Sequence, residues 1–175
     1  MSVYFLDGLC YPMDGQVNRD TPMKWDALPD EACSVARTVA VIGDRWTLLI
    51  LRDCFLGVRR FEHFQARLGI SRTIIADRLK KLVDEGVLRR QAYQENPARF
   101  EYRLTPKGLE LHPVLLAIVG WGDAHYAGEA GPPVLNRHKA CGCDFHAVLS
   151  CSECGDPVGP RDVESRAGPG AQSAA

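Results

Sequence analysis

Residues 61–88 read FEHFQARLGISRTIIADRLKKLVDEGVL, and they decide the fold. The pattern predicts a short helix, a tight turn at residues 68–70, a second helix and the entrance of a strand. Ser71 suits the N-cap of the second helix because its side-chain oxygen can accept from a free first-turn amide, and Gly86 supplies the C-terminal stop. This helix turns an apolar face to a core, and that face carries Ile75, Leu79, Leu82 and Val83.

The opposite face of the second helix is polar. It carries Arg72, Thr73, Ala76, Asp77 and Lys80. A helix pair whose second member has a donor-rich N-terminal face is typical of a DNA-reading helix-turn-helix. A helical hairpin with a solvated polar face is the commoner arrangement in general, so the following segment has to decide between the two.

The segment after Gly86 predicts a β-hairpin. Residues 87–93 and 99–105 carry strand-forming side chains, and Asn96-Pro97 between them is a turn signal. A hairpin directly behind a recognition helix makes the unit a winged helix. The charges agree, because residues 59–99 hold ten Lys or Arg against five acidic residues, whereas the whole chain has a net charge of −1. Such a basic patch is expected of a surface that faces phosphates.

The motifs of this region also resemble a known family. They are RWTLLILRD at 45–53, FEHFQ at 61–65, IS at 70–71, RLKKL at 78–82, GVL at 86–88 and YRLTPKG at 102–108. In this order and spacing they resemble the HxlR family of bacterial transcriptional regulators, roughly from residue 33 to residue 122. The resemblance implies a dimeric winged-helix repressor or activator without naming the regulated genes.

We therefore predict an α+β, mainly helical fold. It is a winged helix-turn-helix with additional N- and C-terminal dimerisation helices and a small Cys-rich C-terminal unit. The predicted function is a sequence-specific DNA-binding transcriptional regulator, not an enzyme, that acts as a homodimer on a pseudo-palindromic operator, with thiol oxidation or electrophiles as the candidate switch. Two alternatives stay open: the same fold controlled by a small-molecule ligand at the dimer interface, and a protein–protein adaptor that uses the Cys-rich tail.

The DNA-reading face is predicted residue by residue. The residues expected to contact double-stranded DNA are Arg60, Ser71, Arg72, Thr73, Asp77, Lys80 and Arg99. Arg72 can place a bidentate fork on a guanine edge, which discriminates by about 1–3 kcal/mol. Thr73 can touch a thymine methyl group, and Asp77 can accept from cytosine. Lys80 and Lys81 are expected on phosphates, which give affinity without sequence information.

Further helices are predicted on both sides of the winged helix. One covers residues 29–42 and opens on a proline, and Asp44 can cap another over Arg45–Phe55. The core candidates of that second helix are Trp46, Leu48, Leu49 and Ile50. After the hairpin, Thr105 can cap a helix that Pro113 must bend or split. The broad apolar face of this last helix is not needed for a winged-helix core, so we expect it to pair with a second subunit.

Cys33 is the redox-sensing candidate, in the first turn of the predicted 29–42 helix. A helix N-terminus stabilises a thiolate and raises its reactivity. Some relatives use a cysteine at this place to sense oxidants or electrophiles, so the resemblance implies a switch. Against it, Asp30 and Glu31 oppose thiolate formation, and Ser34 replaces the proline that often follows in the family. An inert structural thiol is therefore the equal alternative, and Cys54 is predicted to be inert in the core.

The C-terminal cysteines predict a metal site. Cys151-x-x-Cys154-Gly is half of a zinc knuckle, whereas Cys141-x-Cys143 is tighter than the usual spacing, so that a neighbouring histidine can substitute for a sulfur. Such a short segment cannot build a core and needs a metal or disulfides to fold. We predict structural zinc on Cys141, Cys143, Cys151 and Cys154. The alternative is a β-hairpin docked on the dimer, with reduced or disulfide-bonded cysteines.

Composition divides the chain into five parts. Residues 1–27 form an N-terminal arm that packs on a partner or is disordered, 28–126 the winged-helix and dimerisation domain, 127–136 a linker, 137–157 a zinc-ribbon-like Cys-rich unit and 158–175 a disordered tail. With 46% apolar residues, no membrane-length apolar run and no signal peptide, we expect a cytoplasmic, nucleoid-associated bacterial protein. Its seven cysteines then belong to a reducing compartment.

Overall fold

The computed structural model describes residues 5–6, 9–10 and 25–169. It divides into two compact units, one of residues 38–147 and one of residues 1–37 together with 148–175. None of the helices in the described part of the chain combines the length and the apolar content needed to cross a bilayer.

The N-terminal elements are short. Strands β1 (Phe5–Leu6) and β2 (Leu9–Cys10) pair antiparallel, a 3₁₀ helix covers Trp25–Asp30, and α1 is Ser34–Ile42. The helix predicted over residues 29–42 therefore begins later than expected. Pro29 lies inside the 3₁₀ helix, and the chain bends at residues 31–32 before α1 starts. Most of the predicted arm over residues 1–27 lies outside the described residues.

Three helices carry the core of the 38–147 unit: α2 (Arg45–Phe55), α3 (Phe61–Leu68) and α4 (Arg72–Asp84). Both predicted N-caps are confirmed. Asp44 Oδ1 accepts from the amides of Trp46 and Thr47 at 3.0 and 3.1 Å, and Ser71 Oγ accepts from the Ile74 amide at 3.3 Å. The caps satisfy amides that the first turn leaves without helical partners.

The core stripe of α4 is confirmed, whereas that of α2 is shifted by one residue. The fully buried apolar side chains are Ile50, Leu51, Phe64, Ile75, Leu79, Leu82, Val87 and Leu88. On α2, Ile50 is buried as predicted, but Trp46 and Leu49 stay partly exposed. The buried face runs through Thr47, Ile50 and Leu51, at i, i+3 and i+4, so it starts one residue after Trp46.

The predicted β-hairpin is present as β3 (Leu88–Gln94) and β4 (Arg99–Leu104). The strands pair antiparallel, with Leu88 opposite Leu104 and a register shift between Ala92 and Gln94. An isolated bridge from Arg60 to Glu101 ties the start of α3 to the outer edge of β4. Helices α3 and α4 followed by this hairpin form a winged helix-turn-helix, so the predicted α+β, mainly helical fold is confirmed.

The helix after the hairpin is split, as Pro113 requires. It consists of α5 (Pro106–Leu109) and α6 (His112–Tyr126), and Thr105 Oγ1 caps α5 by accepting from the Gly108 amide at 3.1 Å. A Cβ on Gly108 would lie 2.2 Å from the Val87 carbonyl oxygen, so glycine alone allows α5 to pack on the start of the hairpin. Further along the same unit, β5 (Asn136–Arg137) pairs antiparallel with β6 (Asp144–Phe145).

Candidate nucleic-acid interface

The outer face of α4 is a continuous polar surface, opposite the buried stripe of the same helix. The predicted contact residues on it are all exposed: Ser71, Arg72, Thr73, Asp77 and Lys80. The Ser71 cap fixes the N-terminal end of the helix, where the unpaired amides and the helix dipole attract negative charge. The structure thus brings the α4 members of the predicted site together on one side. We call these five residues the reading face.

Arg72 is held by α3. Its Nη1 donates to Gln65 Oε1 at 3.0 Å, and its guanidinium carbon lies 4.8 Å from the centroid of the Phe61 ring. Both contacts lie near the surface and leave the side chain exposed. An arginine that is oriented before binding loses less conformational entropy when it meets a planar acceptor pair such as a guanine edge.

The two lysines of α4 have different surroundings. Lys80 is exposed and its Nζ lies 2.6 Å from Asp84 Oδ2, one turn further along the helix. Lys81 is half-buried and its Nζ donates to the backbone carbonyl oxygen of Ala40 in α1. The expectation that Lys81 meets phosphate is therefore wrong, because this lysine points back toward α1 rather than along the reading face.

Arginines of the hairpin region lie on aromatic rings. The Arg60 guanidinium is 4.4 Å from the Tyr93 ring centroid, and that of Arg90 is 3.6 Å from the Phe100 centroid. Arg99 is exposed at the first residue of β4. Cation–π contacts orient arginine while keeping its charge available to an anion. Arg99 thus lies on the hairpin itself, whereas Arg60 is the N-cap of α3 and contacts the hairpin from outside.

Two ion-pair networks fix the helices behind the reading face, and the sequence did not reveal either. Arg78 of α4 donates to Asp44 through Nε at 2.8 Å and through Nη2 at 3.3 Å. The fully buried Asp53 of α2 accepts from Arg52 at 2.8 Å and from Arg67 of α3 at 3.2 Å. Helical spacing could have indicated Arg78, because it lies three residues after Ile75 at the edge of the buried stripe.

Cys33 is exposed and lies immediately before α1, not within its first turn as predicted. Its carbonyl oxygen accepts from the Arg37 amide at 3.0 Å, so Cys33 occupies the N-cap position of the helix.

The thiol of Cys54 in α2 is partly buried, unlike that of Cys33. Burial raises the pKa of the Cys54 thiol to about 12, and the negative charge of Asp53 acts in the same direction. A partly buried thiol with a raised pKa is what the prediction of an inert thiol requires, and its reactivity stays a prediction.

The Cys-rich segment contains two separate turns, one in each compact unit. In the first, Cys141 Sγ lies 3.3 Å from His138 Nδ1, and Gly142 has φ +72°. In the second, amides of Cys154 and Glu153 point at the Cys151 sulfur and, together with the Cys154 side chain, lower the pKa of Cys151. Within the described ranges, no group of three or more His, Cys, Asp and Glu side chains is placed to hold a metal ion. Zinc on the four cysteines stays a prediction.

Helix α6 leaves much of its apolar surface uncovered. The exposed large apolar side chains on it are Val114, Ile118, Val119, Trp121 and Tyr126. Between α2 and α6 lies a mainly apolar cavity of about 330 Å³, lined by Leu48, Phe55, Leu115, Ile118 and Val119 among others. Leu111 at the N-cap of α6 and Leu115 within the helix pack on the core.

Comparison with known proteins places this geometry among regulators. The family profile described as HxlR-like helix-turn-helix matches residues 41–130, which include α3, α4 and the hairpin. The HTH-type transcriptional regulator Rv3095 of Mycobacterium tuberculosis is 41% identical over 140 residues, covering 80% of this chain and 89% of that protein.

Solved structures agree with the sequence relationship. The crystal structure of PA1607, described as a candidate transcription factor, superposes with a TM-score of 0.72 at 35% identity and covers 80% of this chain and 98% of that one. The redox regulator HypR in its reduced form has a TM-score of 0.50 at 29% identity, covering 53% of this chain and 92% of that one.

Proposed function

Because the chain belongs to the HxlR-like helix-turn-helix family of transcriptional regulators, we propose that it binds a pseudo-palindromic operator as a homodimer. Each subunit reads one half-site with α4 in the major groove, and the hairpin lies on the flanking backbone or minor groove. The half-sites are then separated by about one helical turn, about 34 Å, or a multiple of it.

The observation that carries this proposal is the reading face itself. Four polar side chains of the reading face are exposed along one side of α4 and Ser71 is exposed at its N-cap, while the other side of the helix is buried in the core. Arg72 is oriented by Gln65 and Phe61, and the Ser71 cap leaves the helix N-terminus exposed. A solvated helix has no need for an oriented arginine at its N-terminal end, whereas base recognition does.

The homodimer is supported by the apolar face of α6. Ile118, Val119 and Trp121 are exposed although the winged-helix core is complete without them. Large apolar side chains left uncovered on a helix are typical of an interface that a second copy covers isologously. Such a pairing gives the two reading faces the twofold relation that a palindromic operator demands.

The test is fluorescence anisotropy with a duplex selected in vitro from random sequences, compared with a scrambled duplex. We expect wild type to prefer the selected duplex, with an affinity that falls steeply as salt rises. Arg72→Gln should lose at least about tenfold in affinity and most of the preference. Arg161→Gln, an exposed arginine outside the winged helix, is the matched control and should bind like wild type.

Two results would contradict the proposal. Absence of DNA binding even at low salt would favour the adaptor alternative, in which the Cys-rich tail docks a protein. Protection of a single unrepeated site by a monomer would contradict the homodimer and the palindromic operator. The protein would still be a DNA-binding regulator.

We further propose Cys33 as the thiol switch of this regulator. It is exposed at the N-cap of α1, so an oxidant can reach its sulfur, and the chain is similar to the redox regulator HypR. Hydrogen peroxide would transfer one oxygen atom to the sulfur as its O–O bond breaks, so that the thiol loses two electrons to become sulfenic acid and the other oxygen leaves as water. Binding should be lost on mild oxidation in wild type and recovered with dithiothreitol, whereas Cys33→Ser should bind under both conditions.

The competing control mechanism is a small molecule in the α2–α6 cavity, which is mainly apolar and measures about 330 Å³. Cavities of this size and polarity take small apolar ligands. In that case a ligand changes DNA affinity even in Cys33→Ser. If wild type binds DNA equally before and after oxidation, Cys33 is not the switch. A ligand in this cavity is then the remaining control mechanism.

A further inference from the structure

A second cavity of about 330 Å³ lies at the base of the hairpin, and nothing in DNA reading accounts for it. It is bounded by the end of α2, the α2–α3 connection, the hairpin and α5. Part of its wall is apolar and comes from Phe55, Val58, Leu104 and Leu109, with Tyr102 beside them. The size falls in the range of small-ligand sites.

Three arginines line the same cavity: Arg59, Arg89 and Arg103. Arg89 and Arg103 are direct partners in the β3–β4 register, so two like charges lie opposite each other, an arrangement that costs free energy. Arg103 Nε donates to Glu101 Oε1 at 2.6 Å. Neither Arg59 nor Arg89 forms an ion pair with any residue that the structure describes. The cavity therefore combines uncompensated positive charge with apolar walls.

We propose that this cavity binds a small organic carboxylate. Its carboxylate lies between the guanidinium groups of Arg59 and Arg89, which offer planar donor pairs suited to two acceptor oxygens. Its hydrocarbon body lies against Phe55 and Leu109. A bare inorganic anion would use the charge and leave the apolar walls uncovered, whereas an aromatic or branched aliphatic acid uses both.

The test is calorimetric titration of the full chain with 2-naphthoate, in the absence of DNA. The neutral alcohol 2-naphthalenemethanol has nearly the same shape and serves as the ligand control. We expect naphthoate to bind with one site per chain and at least about tenfold more tightly than the alcohol, because charge-assisted hydrogen bonds to carboxylate are lost with the alcohol.

Variants separate this cavity from the rest of the basic surface. Arg59→Gln and Arg89→Gln should each weaken naphthoate binding at least about tenfold, while Arg89→Lys should retain part of the affinity. Arg90→Gln is the matched control, because Arg90 stacks on Phe100 and does not line the cavity. Naphthoate affinity equal to that of the alcohol, or lost equally in Arg90→Gln, would overturn the proposal.

The result does not depend on the proposed operator, because no DNA is present in the titration. The same variants are then measured for DNA affinity. If naphthoate fails to bind and Arg59→Gln and Arg89→Gln weaken DNA binding, these arginines contact phosphates and the carboxylate site is overturned. If naphthoate binds as expected, the site stands whether or not the reading face proves correct.

Discussion

The Asp44 carboxylate connects two helices of the winged helix. It caps α2 through the Trp46 and Thr47 amides and accepts two hydrogen bonds from Arg78, at 2.8 and 3.3 Å. Arg78 lies in the middle of α4, on the side away from the reading face. An ion pair on the side away from the reading face therefore joins α4 to the N-terminus of α2.

Arg78→Gln should destabilise the fold by about 0.5–1 kcal/mol. The estimate is modest because both side chains of the pair remain about one-third exposed, which screens the attraction. Urea unfolding followed by circular dichroism measures the change. Lys80→Gln is the control, since it breaks the far more exposed Lys80–Asp84 pair and should change stability by less than about 0.5 kcal/mol. Equal losses of stability in the two variants would show that the Arg78–Asp44 pair stabilises the fold no more than the exposed Lys80–Asp84 pair does.

Acid should weaken the Asp44 pair. Burial alone would raise the pKa of Asp44, but the hydrogen bond and charge of Arg78 and the amides of Thr47 and Trp46 outweigh it, so the pKa lies below the usual 3.8. The unfolded chain then binds the proton at higher pH than the folded chain. The contribution of Asp44 is therefore present above the unfolded pKa and is lost as the pH falls through the folded pKa.

The measurement is the stability difference between wild type and Asp44→Asn, followed by urea unfolding from about pH 6 to about pH 3. Asparagine keeps the capping oxygen, so the variant removes mainly the charge. We expect the difference to shrink toward zero at the acid end. A difference that stays constant over this range would mean that the charge on Asp44 contributes nothing.

The local features of this fold could be predicted because each depends on neighbours in sequence. The Ser71 and Asp44 caps and the α4 stripe follow from spacing alone, and Pro113 splits its helix for a local steric reason. The start of α1 was wrong because a 3₁₀ helix around Pro29 replaced the first α-helical turn. Sequence spacing does not distinguish these two short helical forms at a proline.

The buried Asp53 should show strong coupling between its two arginine partners. Each arginine alone can satisfy part of the carboxylate, and both are nearly half exposed, so Arg52→Ala or Arg67→Ala should each cost about 1 kcal/mol. The double variant leaves a buried, unpaired charge and should cost about 3–5 kcal/mol, more than the two single losses together. Urea unfolding of the four proteins gives the coupling, and simple additivity would contradict a shared role at Asp53.

Zinc binding by the Cys-rich segment is tested by metal content. The Cys154 and Glu153 amides lower the pKa of Cys151, and Gly155 adopts φ +80°, as a two-thiolate metal turn needs. The sequence predicts Cys141 and Cys143 as the further ligands. Plasma mass spectrometry of protein purified without chelator should find about one zinc per chain, reduced in Cys151→Ser and retained in Cys33→Ser. Zinc-free wild type would favour the docked hairpin.

The candidate site was only partly accessible from sequence. The reading face could be predicted because one helix carries it, and a period of 3.6 residues separates its exposed side from its buried side. Lys81 was misassigned, since its contact with the Ala40 carbonyl depends on how α1 packs against α4. The arginine cavity was missed for the same reason. Arg59, Arg89 and Arg103 come together only once the hairpin register is known.

The apolar face of α6 provides the last prediction. If a second copy covers this face, Ile118→Glu places a carboxylate in an apolar interface without a partner, at a cost of several kcal/mol. Sedimentation should then find monomer where wild type is a dimer, and operator affinity should fall at least about hundredfold, because the two half-sites are no longer bound together. Val163→Glu is the matched control at another exposed apolar residue and should remain dimeric. If Ile118→Glu stays dimeric and binds the operator normally, the subunits pair through another surface.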